Sequence, residues 1–352
     1  MSTFEAGGHL LGAQDTGVVI IHSKDLWLQD GTIIVRTTST ETPATITLYK
    51  IHKFILALHC STFASLFEGT HALFDAGSES YDGLPIMDMP DAADDVRDFL
   101  KALYFPIETQ RHRHISSPLF GGNWAAFPAT YPGILRLAIK YDAPTIQNLI
   151  VKVLRMEWTR DVHEWDSLQE KLMAGASMLC EEEDLSNLFP DPVRAIRLGT
   201  ELGIFEILPT AYYDLMRVLY DLALEPLYLA EPRSVDTSQL TADQLRRVII
   251  GRKEMCRWLF QAMSEMQPPE AGCLHKASEP CRLSAQRWIN SQLTQRTADY
   301  DPVAWLNSAE NECSESDACE ICVAWMQAKL LRAKWGIWEK LSEFFGLEDN
   351  AA

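Results

Sequence analysis

The sequence of 352 residues contains no run of about 18 apolar residues, the length that a helix needs to cross a membrane. Its first residues, MSTFEAGGHLLGAQD, lack the basic segment and the long apolar stretch of a secretory signal. We therefore expect a protein of the cytoplasm, the nucleus or both, without a membrane partner.

Positive charge is scarce, because 31 Lys and Arg residues stand against 49 Asp and Glu residues for a net charge of -18. A protein that binds nucleic acid needs concentrated cations to displace counterions from the phosphates. We expect no nucleic-acid partner, although this balance leaves room for a small local basic patch.

Signatures of common enzyme classes are also missing. The sequence has no GxSxG nucleophile motif, no Walker phosphate loop, no HExxH zinc motif and no dinucleotide glycine motif. Eight cysteines without a secretory signal argue against a disulfide scaffold, which leaves reduced thiols or a metal site.

The residues that are present predict two domains, a number that the chain length also favours. In the first part, TIIVR at residues 32–36 and TITLY at residues 45–49 are rich in β-branched residues and predict two strands. A pair of short helices is predicted over residues 48–69. Ile51, Phe54, Ile55 and Leu58 have the spacing of one buried helix face, and Phe63, Leu66 and Phe67 repeat it.

A third strand, LPIMDM, is predicted at residues 84–89, and a helix with Val96, Phe99 and Leu100 on one face follows it. Residues 106–130 are rich in Gly, Pro and Ser and predict an inserted loop. Residues 131–158 again predict regular structure. Two further helices are expected there, the second with a long apolar stripe from Ile146 to Trp158.

This order of elements resembles the BTB/POZ domain, in a type that is abundant in mushroom-forming (basidiomycete) fungi. The positions that carry the resemblance are Asp30, His52, Ile55, Leu56, Ala57, Cys60, Phe63 and Phe67. Cys60 departs from the pattern, because family members often have Ser there, but a buried Cys behaves as a small apolar residue. His52 has two interpretations, as a structural residue that bonds neighbouring backbone or as a ligand or catalytic group.

The resemblance implies an α+β fold in which a small sheet is flanked by helical hairpins. On this basis we assign residues 1–20 to a flexible leader and residues 21–158 to the BTB/POZ domain. It also implies a non-enzymatic protein–protein interaction function, with oligomerisation through this domain by self-pairing or by pairing with another BTB protein. An adaptor function in ubiquitin-ligase complexes, through a cullin, or in transcriptional complexes would follow from the same resemblance.

Residues 159–352 predict an α-helical region. Segments 168–179, 192–202 and 207–222 have helical periodicity, and Thr241 with Gln244 forms a capping box before the next helix. The last predicted helix places six residues on its buried face: Trp325, Leu330, Trp335, Trp338, Leu341 and Phe345.

Cysteines near the C-terminus predict a structural zinc site, since two pairs of thiols can surround zinc tetrahedrally. The proposed ligands are Cys273, Cys281, Cys319 and Cys322, with His275 or Cys313 as alternates. The seven residues between the first two cysteines weaken this pattern, and buried reduced thiols are the competing interpretation. A thiol-dependent or zinc-dependent enzyme that uses this cluster is the alternative function.

Overall fold

The computed structural model describes residues 19–39, 45–69, 79–105, 131–176, 189–221, 235–266, 279–293 and 301–347. The chain divides into two compact units between Lys152 and Val153. Unit 1 comprises the described residues up to Lys152, and unit 2 comprises those from Val153 onward. The sequence placed this division at residue 158.

Unit 1 combines strands and helices, so the predicted α+β class is confirmed for the chain. Its elements are β1 (Val19–Trp27), β2 (Ile33–Thr38), β3 (Thr45–Ile51), α1 (Lys53–His59), α2 (Ser61–Gly69), β4 (Ser80–Tyr81), β5 (Leu84–Asp88), α3 (Ala93–Tyr104), α4 (Tyr131–Lys140) and α5 (Pro144–Glu157). The predicted loop at residues 106–130 lies outside the described residues.

The five strands form one sheet in the order β1-β3-β2-β5-β4. The pair β2 and β3 is antiparallel, with Val35 opposite Tyr49, whereas β5 runs parallel to β2 with Met87 opposite Val35. At the other edge, β1 runs parallel to β3. Strand β2 is central, and its residues Ile33, Ile34 and Val35 are all buried, because both faces of the sheet are covered there.

The core of unit 1 lies between this sheet and the helices that follow it. Its largest buried members come from β3 and from α1 to α5: Leu48, Tyr49, Leu56, Phe63, Phe99, Leu100, Leu135, Ile146 and Ile150. At the turn after α4, Asp142 has a positive φ of 51°, and its backbone carbonyl accepts a hydrogen bond from the Ser61 amide at 3.1 Å. This bond ties the start of α2 to the turn between α4 and α5.

Three sequence predictions for unit 1 are wrong. Ile51 was placed on the buried face of the first helix but is the last residue of β3, and α1 begins at Lys53. Val19 and Ile20 were assigned to a flexible leader but begin β1, because their β-branched side chains join a strand whose partner β3 lies far along the chain. Phe54 and Leu58 were placed on the buried face of α1, yet both are exposed and Leu56 is buried instead.

Unit 2 is helical in the part of the chain that the structure describes, as predicted. After α5 its elements are α6 (Val162–Ala176), α7 (Pro192–Leu202), α8 (Leu208–Asp221), α9 (Ala242–Ser264), α10 (Glu279–Leu293), α11 (Pro302–Glu312), α12 (Glu320–Glu339) and α13 (Leu341–Phe344), with short 3-10 turns at Phe205–Ile207, Thr237–Gln239 and Cys313–Glu315. The capping box predicted at Thr241 and Gln244 is present at the start of α9.

The predicted last helix is divided at Lys340 into α12 and α13. Four members of the predicted buried face are buried, namely Leu330, Trp338, Leu341 and Phe345. Trp325 and Trp335 are only partly buried.

Buried charged groups connect the helices of unit 2. The Tyr213 hydroxyl of α8 donates to Asp301 Oδ1 at 2.6 Å, and Arg217 Nε donates to Asp301 Oδ2 at 2.5 Å. Asp301 also caps α11, where Oδ1 accepts from the Ala304 amide. Complete burial raises the pKa of Tyr213 well above its ordinary value, so this phenol donates its proton to the carboxylate.

The buried Lys334 also connects helices of unit 2. Lys334 of α12 contacts Asp166 of α6 and donates to Asn307 Oδ1 of α11 at 2.7 Å. The Lys334 side chain therefore joins three helices, α6, α11 and α12.

The C-terminal turn of unit 2 packs directly against α9. A Cβ atom at Gly251 would overlap the ring of Phe345, and Phe345 itself is buried. Glycine at this position lets the α9 backbone approach the chain end closely, although a glycine inside a helix is ordinarily destabilising relative to alanine.

Candidate metal centre and exposed surfaces

Three buried cysteines of unit 2 form the densest group of metal-ligating side chains in the described part of the chain. The sulfur atoms of Cys281, Cys319 and Cys322 all lie within 4.8 Å of one another. The exposed fraction of each residue is below a tenth, and Ala318 packs against the group.

Helix starts bring the three thiols together. Cys281 is in the first turn of α10, Cys319 is the N-cap of α12, and Cys322 is in the first turn of α12. Because the backbone amides at a helix start carry partial positive charge, such positions favour a thiolate over a thiol. The partial positive charges of two helix starts, those of α10 and α12, therefore lie beside the same three thiols.

A backbone hydrogen bond also acts on the cluster. The amide of Cys319 donates to Cys281 Sγ at 3.1 Å, which joins the two helices across a sequence separation of 38 residues. An N–H group that points at sulfur stabilises negative charge on it. The exposed Glu320 follows immediately in sequence and acts in the opposite direction on a thiolate, but it favours a bound cation.

Chemically, three convergent thiolates suit a soft or borderline divalent cation such as zinc. Tetrahedral bonds of about 2.3 Å place sulfur atoms about 3.8 Å apart, which falls inside the upper limit of 4.8 Å on the separations in this cluster.

The other three ligands proposed from sequence are not members of the described cluster. Cys273 and His275 lie outside the described residues. Cys313 is buried in the 3-10 turn after α11 and is not a member of the cluster, and its Sγ donates to the Glu310 carbonyl at 3.1 Å. Burial and the nearby Glu310 carboxylate raise the pKa of Cys313, which keeps it protonated and disfavours metal binding.

In unit 1, His52 connects three elements. Its Nε2 lies 3.2 Å from Asp30 Oδ1, its backbone N–H donates to the Tyr104 hydroxyl at 2.7 Å, and its Nδ1 lies 3.1 Å from the same hydroxyl. Asp30 precedes β2, His52 follows β3, and Tyr104 ends α3. These contacts support the structural interpretation of His52 over a catalytic one.

The remaining positions of the resemblance lie on α1 and α2. Leu56, Cys60 and Phe63 are buried, whereas Ile55, Ala57 and Phe67 are partly buried. Burial raises the pKa of Cys60 to about 12, so this thiol packs as a small apolar group rather than as a nucleophile.

An apolar surface lies on α1. The exposed side chains of this helix are Phe54, 70% exposed, and Leu58, 59% exposed. They lie four residues apart and so share one side of the helix. We call them the α1 surface.

A different surface lies on α9. Its exposed side chains from residue 246 to residue 261 are Arg246, Ile249, Ile250, Lys253, Arg257, Phe260 and Gln261. This α9 surface has three cations, three large apolar groups and one amide. Beside it, the Glu254 side chain is 39% exposed and pairs with Arg257. The opposite side of the helix is buried through Val248, Met255, Leu259 and Met263.

No family model, curated protein or solved structure matches the chain. Any functional assignment therefore depends on this chain's own residues and on the order of its elements. None of the described helices is both long and apolar enough to cross a membrane.

Sequence reasoning missed the α9 surface. The helix was recognised from its capping box, and the segment RRVIIGRKEMCRWLF was available to reveal five cations among apolar residues. The positive net charge of this segment, opposite in sign to that of the whole chain, was the feature that could have revealed the surface.

Proposed function

We propose that the protein is a non-enzymatic interaction protein whose unit 1 is a BTB/POZ-like domain that pairs with a second copy. The order of elements supports this proposal: an antiparallel strand pair, a helical hairpin, a strand parallel to the first member of the pair, and a helix. Unit 2 would hold another protein, so that the whole chain acts as an adaptor.

The observation that carries the proposal is the α1 surface. Phe54 and Leu58 are exposed to water, so burying them against a partner would be favourable. Leu56 of the same helix is fully buried in the core. Exposed apolar groups that share one side of a helix are typical of interaction sites.

Charge argues for a second copy at this surface. The chain carries a net charge of -18, so two copies repel at long range, and a contact surface without carboxylates minimises that repulsion. Neither exposed side chain of α1 is charged, and the described exposed side chains of the adjacent α2 are Ser61, Thr62, Ser65 and Glu68. This is a surface on which two identical acidic chains can meet.

Native mass spectrometry and light scattering of the full chain test the pairing. We expect a dimer for the wild type. Phe54→Ser combined with Leu58→Ser removes exposed side chains only, so the fold is retained and the dimer dissociation constant rises at least about tenfold. Met156→Ser, which changes another exposed apolar residue, is the matched control and leaves the dimer intact.

A wild-type chain that stays monomeric at high concentration contradicts the proposal. So does a dimer that the Phe54 and Leu58 changes leave unaltered.

The second partner would bind the α9 surface. Alternating cations and large apolar groups complement an amphipathic helix that carries carboxylates beside leucines. An acidic peptide gains ion pairs with the cations and apolar contacts with Ile249, Ile250 and Phe260, and it competes with Glu254 for Arg257.

A synthetic acidic amphipathic helix of Glu and Leu residues is the probe for this surface. We expect it to bind the full chain with an affinity that falls as salt is added, and to lose binding to the Arg246→Glu, Lys253→Glu variant. A peptide of the same pattern with Lys in place of Glu is the control. Preference of the wild type for single-stranded RNA or for anionic vesicles over the acidic peptide would overturn the assignment.

A further inference from the structure

The side chains that the structure describes on helix α10 give it few apolar contacts within unit 2. The buried side chains that the structure describes on this helix are Cys281, Ala285, Ile289 and Gln292, and two of these are small. Gln292 Oε1 is buried without a hydrogen-bond partner, which weakens the packing further. A helix with so little buried apolar area requires another stabilising interaction.

The cysteine cluster lies between α10 and α12, where a shared ligand could stabilise α10. Cys281 belongs to α10, whereas Cys319 and Cys322 belong to the start of α12, so a ligand shared by the three sulfurs would join the two helices directly. The other groups at the site favour anionic sulfur: two helix starts and the amide of Cys319.

We propose that Cys281, Cys319 and Cys322 bind one zinc ion, which fastens the start of α10 to the start of α12. Three Zn–S bonds form and three S–H bonds break, three protons pass to the solvent, and no electron is transferred. The fourth coordination position is filled by one further donor, a side chain or water. This inference does not depend on the proposed interaction function.

A disulfide is the competing use of two of these thiols. It would leave the third sulfur buried without a bond to the other two, and it would need an oxidant. Zinc uses all three sulfurs together, and the acidic groups near the site in sequence, Glu315, Asp317 and Glu320, accommodate a cation.

The first experiment measures metal in the full chain purified under reducing conditions from zinc-supplemented medium. We expect one zinc per chain by elemental analysis and by native mass spectrometry. Replacement of zinc by Co²⁺ should give the intense visible absorption of a tetrahedral site and sulfur-to-metal charge-transfer bands, whose strength reports the number of thiolates.

Substitutions then locate the site. Cys281→Ser and Cys319→Ser should each weaken zinc binding at least about 100-fold in competition with a chromophoric chelator, more than the loss of a hydrogen bond to a ligand causes. Cys313→Ser is the matched control, since it changes a buried thiol of the same unit outside the cluster, and it should retain the metal.

Hydrogen exchange tests the stabilising role without any substitution. Zinc removal from the wild type by chelation should speed amide exchange in α10 and in the first turn of α12, while α8 stays protected, and added zinc should restore the protection.

Four outcomes would overturn the proposal. They are a reduced wild-type chain that binds neither zinc nor cobalt, a Cys281→Ser chain that keeps its zinc, a Cys313→Ser chain that loses it, and unchanged exchange in α10 after chelation.

Discussion

The two units use charged side chains in different places. In unit 1, Arg36 pairs with Asp88 and Glu79 at the surface, where the two carboxylate side chains are 63% and 55% exposed. In unit 2, Arg217 pairs with an Asp301 side chain that is only 12% exposed, and Lys334 is buried beside Asp166. These particular pairs are therefore solvated in unit 1 and largely buried in unit 2, although Asp91 of unit 1, which pairs with Lys140, is also only 15% exposed at its side chain.

The difference follows from how each unit specifies its packing. The register of β2 against β3 and β5 is fixed by backbone hydrogen bonds, so the sheet needs no buried ion pair. Helices satisfy their backbone groups internally and can rotate or slide against one another. Specific contacts such as those of Asp301 and Lys334 therefore distinguish one arrangement of α6, α8, α11 and α12 from others.

The largest effect is expected for Asp301→Asn. Asparagine still caps α11, but the partly buried Arg217 loses its main counter-charge and the buried Tyr213 hydroxyl loses an anionic acceptor, which should lower the free energy of unfolding of unit 2 by about 3 kcal/mol. Urea unfolding followed by tryptophan fluorescence measures this, because all ten tryptophans except Trp27 and Trp124 lie after residue 153.

The matched control is Asp191→Asn, the same change at the N-cap of α7. Asp191 also precedes a Pro at the first helical position, but its nearest cation, Arg194, is 3.9 Å away and exposed. The control should cost less than about 1 kcal/mol. Equal losses at the two sites would show that buried charge does not distinguish the helical unit.

An intermediate effect is expected for Gly251→Ala. Alanine ordinarily stabilises a helix by up to about 1 kcal/mol relative to glycine, but the new methyl group would overlap the buried Phe345 ring. We expect net destabilisation of about 1 to 2 kcal/mol in the same urea experiment. Adding Phe345→Leu to Gly251→Ala should recover part of the loss, and a purely additive double variant would contradict the steric explanation.

The smallest effect is expected for Arg36→Met in unit 1. Asp88 and Glu79 are largely solvated, so solvent screening limits the loss to about 0.5 to 1 kcal/mol at neutral pH. Amide exchange of β2 and β5, read by mass spectrometry, isolates the stability of this unit. A loss as large as that of Asp301→Asn would remove the contrast between the units.

The Arg36→Met effect should also depend on pH. Hydrogen bonds from Arg36 hold the pKa of Asp88 below its ordinary value, so the pair stabilises the folded state fully above the unfolded-state pKa of about 3.9. That contribution disappears as the pH falls through the lower folded-state pKa. The difference between wild type and variant should therefore shrink in acid, and a difference that grows would contradict this explanation.

Local patterns predicted much of this fold. The β-branched residues of β2 and β3, the capping box at Thr241 and the apolar stripe of α5 mark elements through contacts that lie close in sequence. For the candidate site, sequence reasoning named all three clustered thiols, Cys281, Cys319 and Cys322, because cysteines are sparse and two of them are one helix turn apart; the fourth ligand that it named, Cys273, lies outside the described residues.

Long-range packing was not predictable in the same way. Strand β1 depends on a parallel partner, β3, that follows β2 in the chain. The spacing of Phe54 and Leu58 reveals an apolar helix face but not whether the chain's own core covers it. Asp301 and Lys334 follow no apolar pattern, and charged residues are ordinarily expected at the surface.

Helix α5 runs from Pro144 to Glu157, and the division between the units falls inside it, after Lys152. Beyond that point Leu154 and Trp158 line a small pocket of unit 2 together with Ala195 and Leu198, whereas Ile146 and Ile150 precede it and are buried. Fragments that end or begin at the division would split α5: the first fragment would lose residues 153–157 of the helix, and the second would keep Leu154 and Trp158 without the helical turns that precede them. Expression fragments that share all of residues 144–158 are the ones suited to studying either half alone.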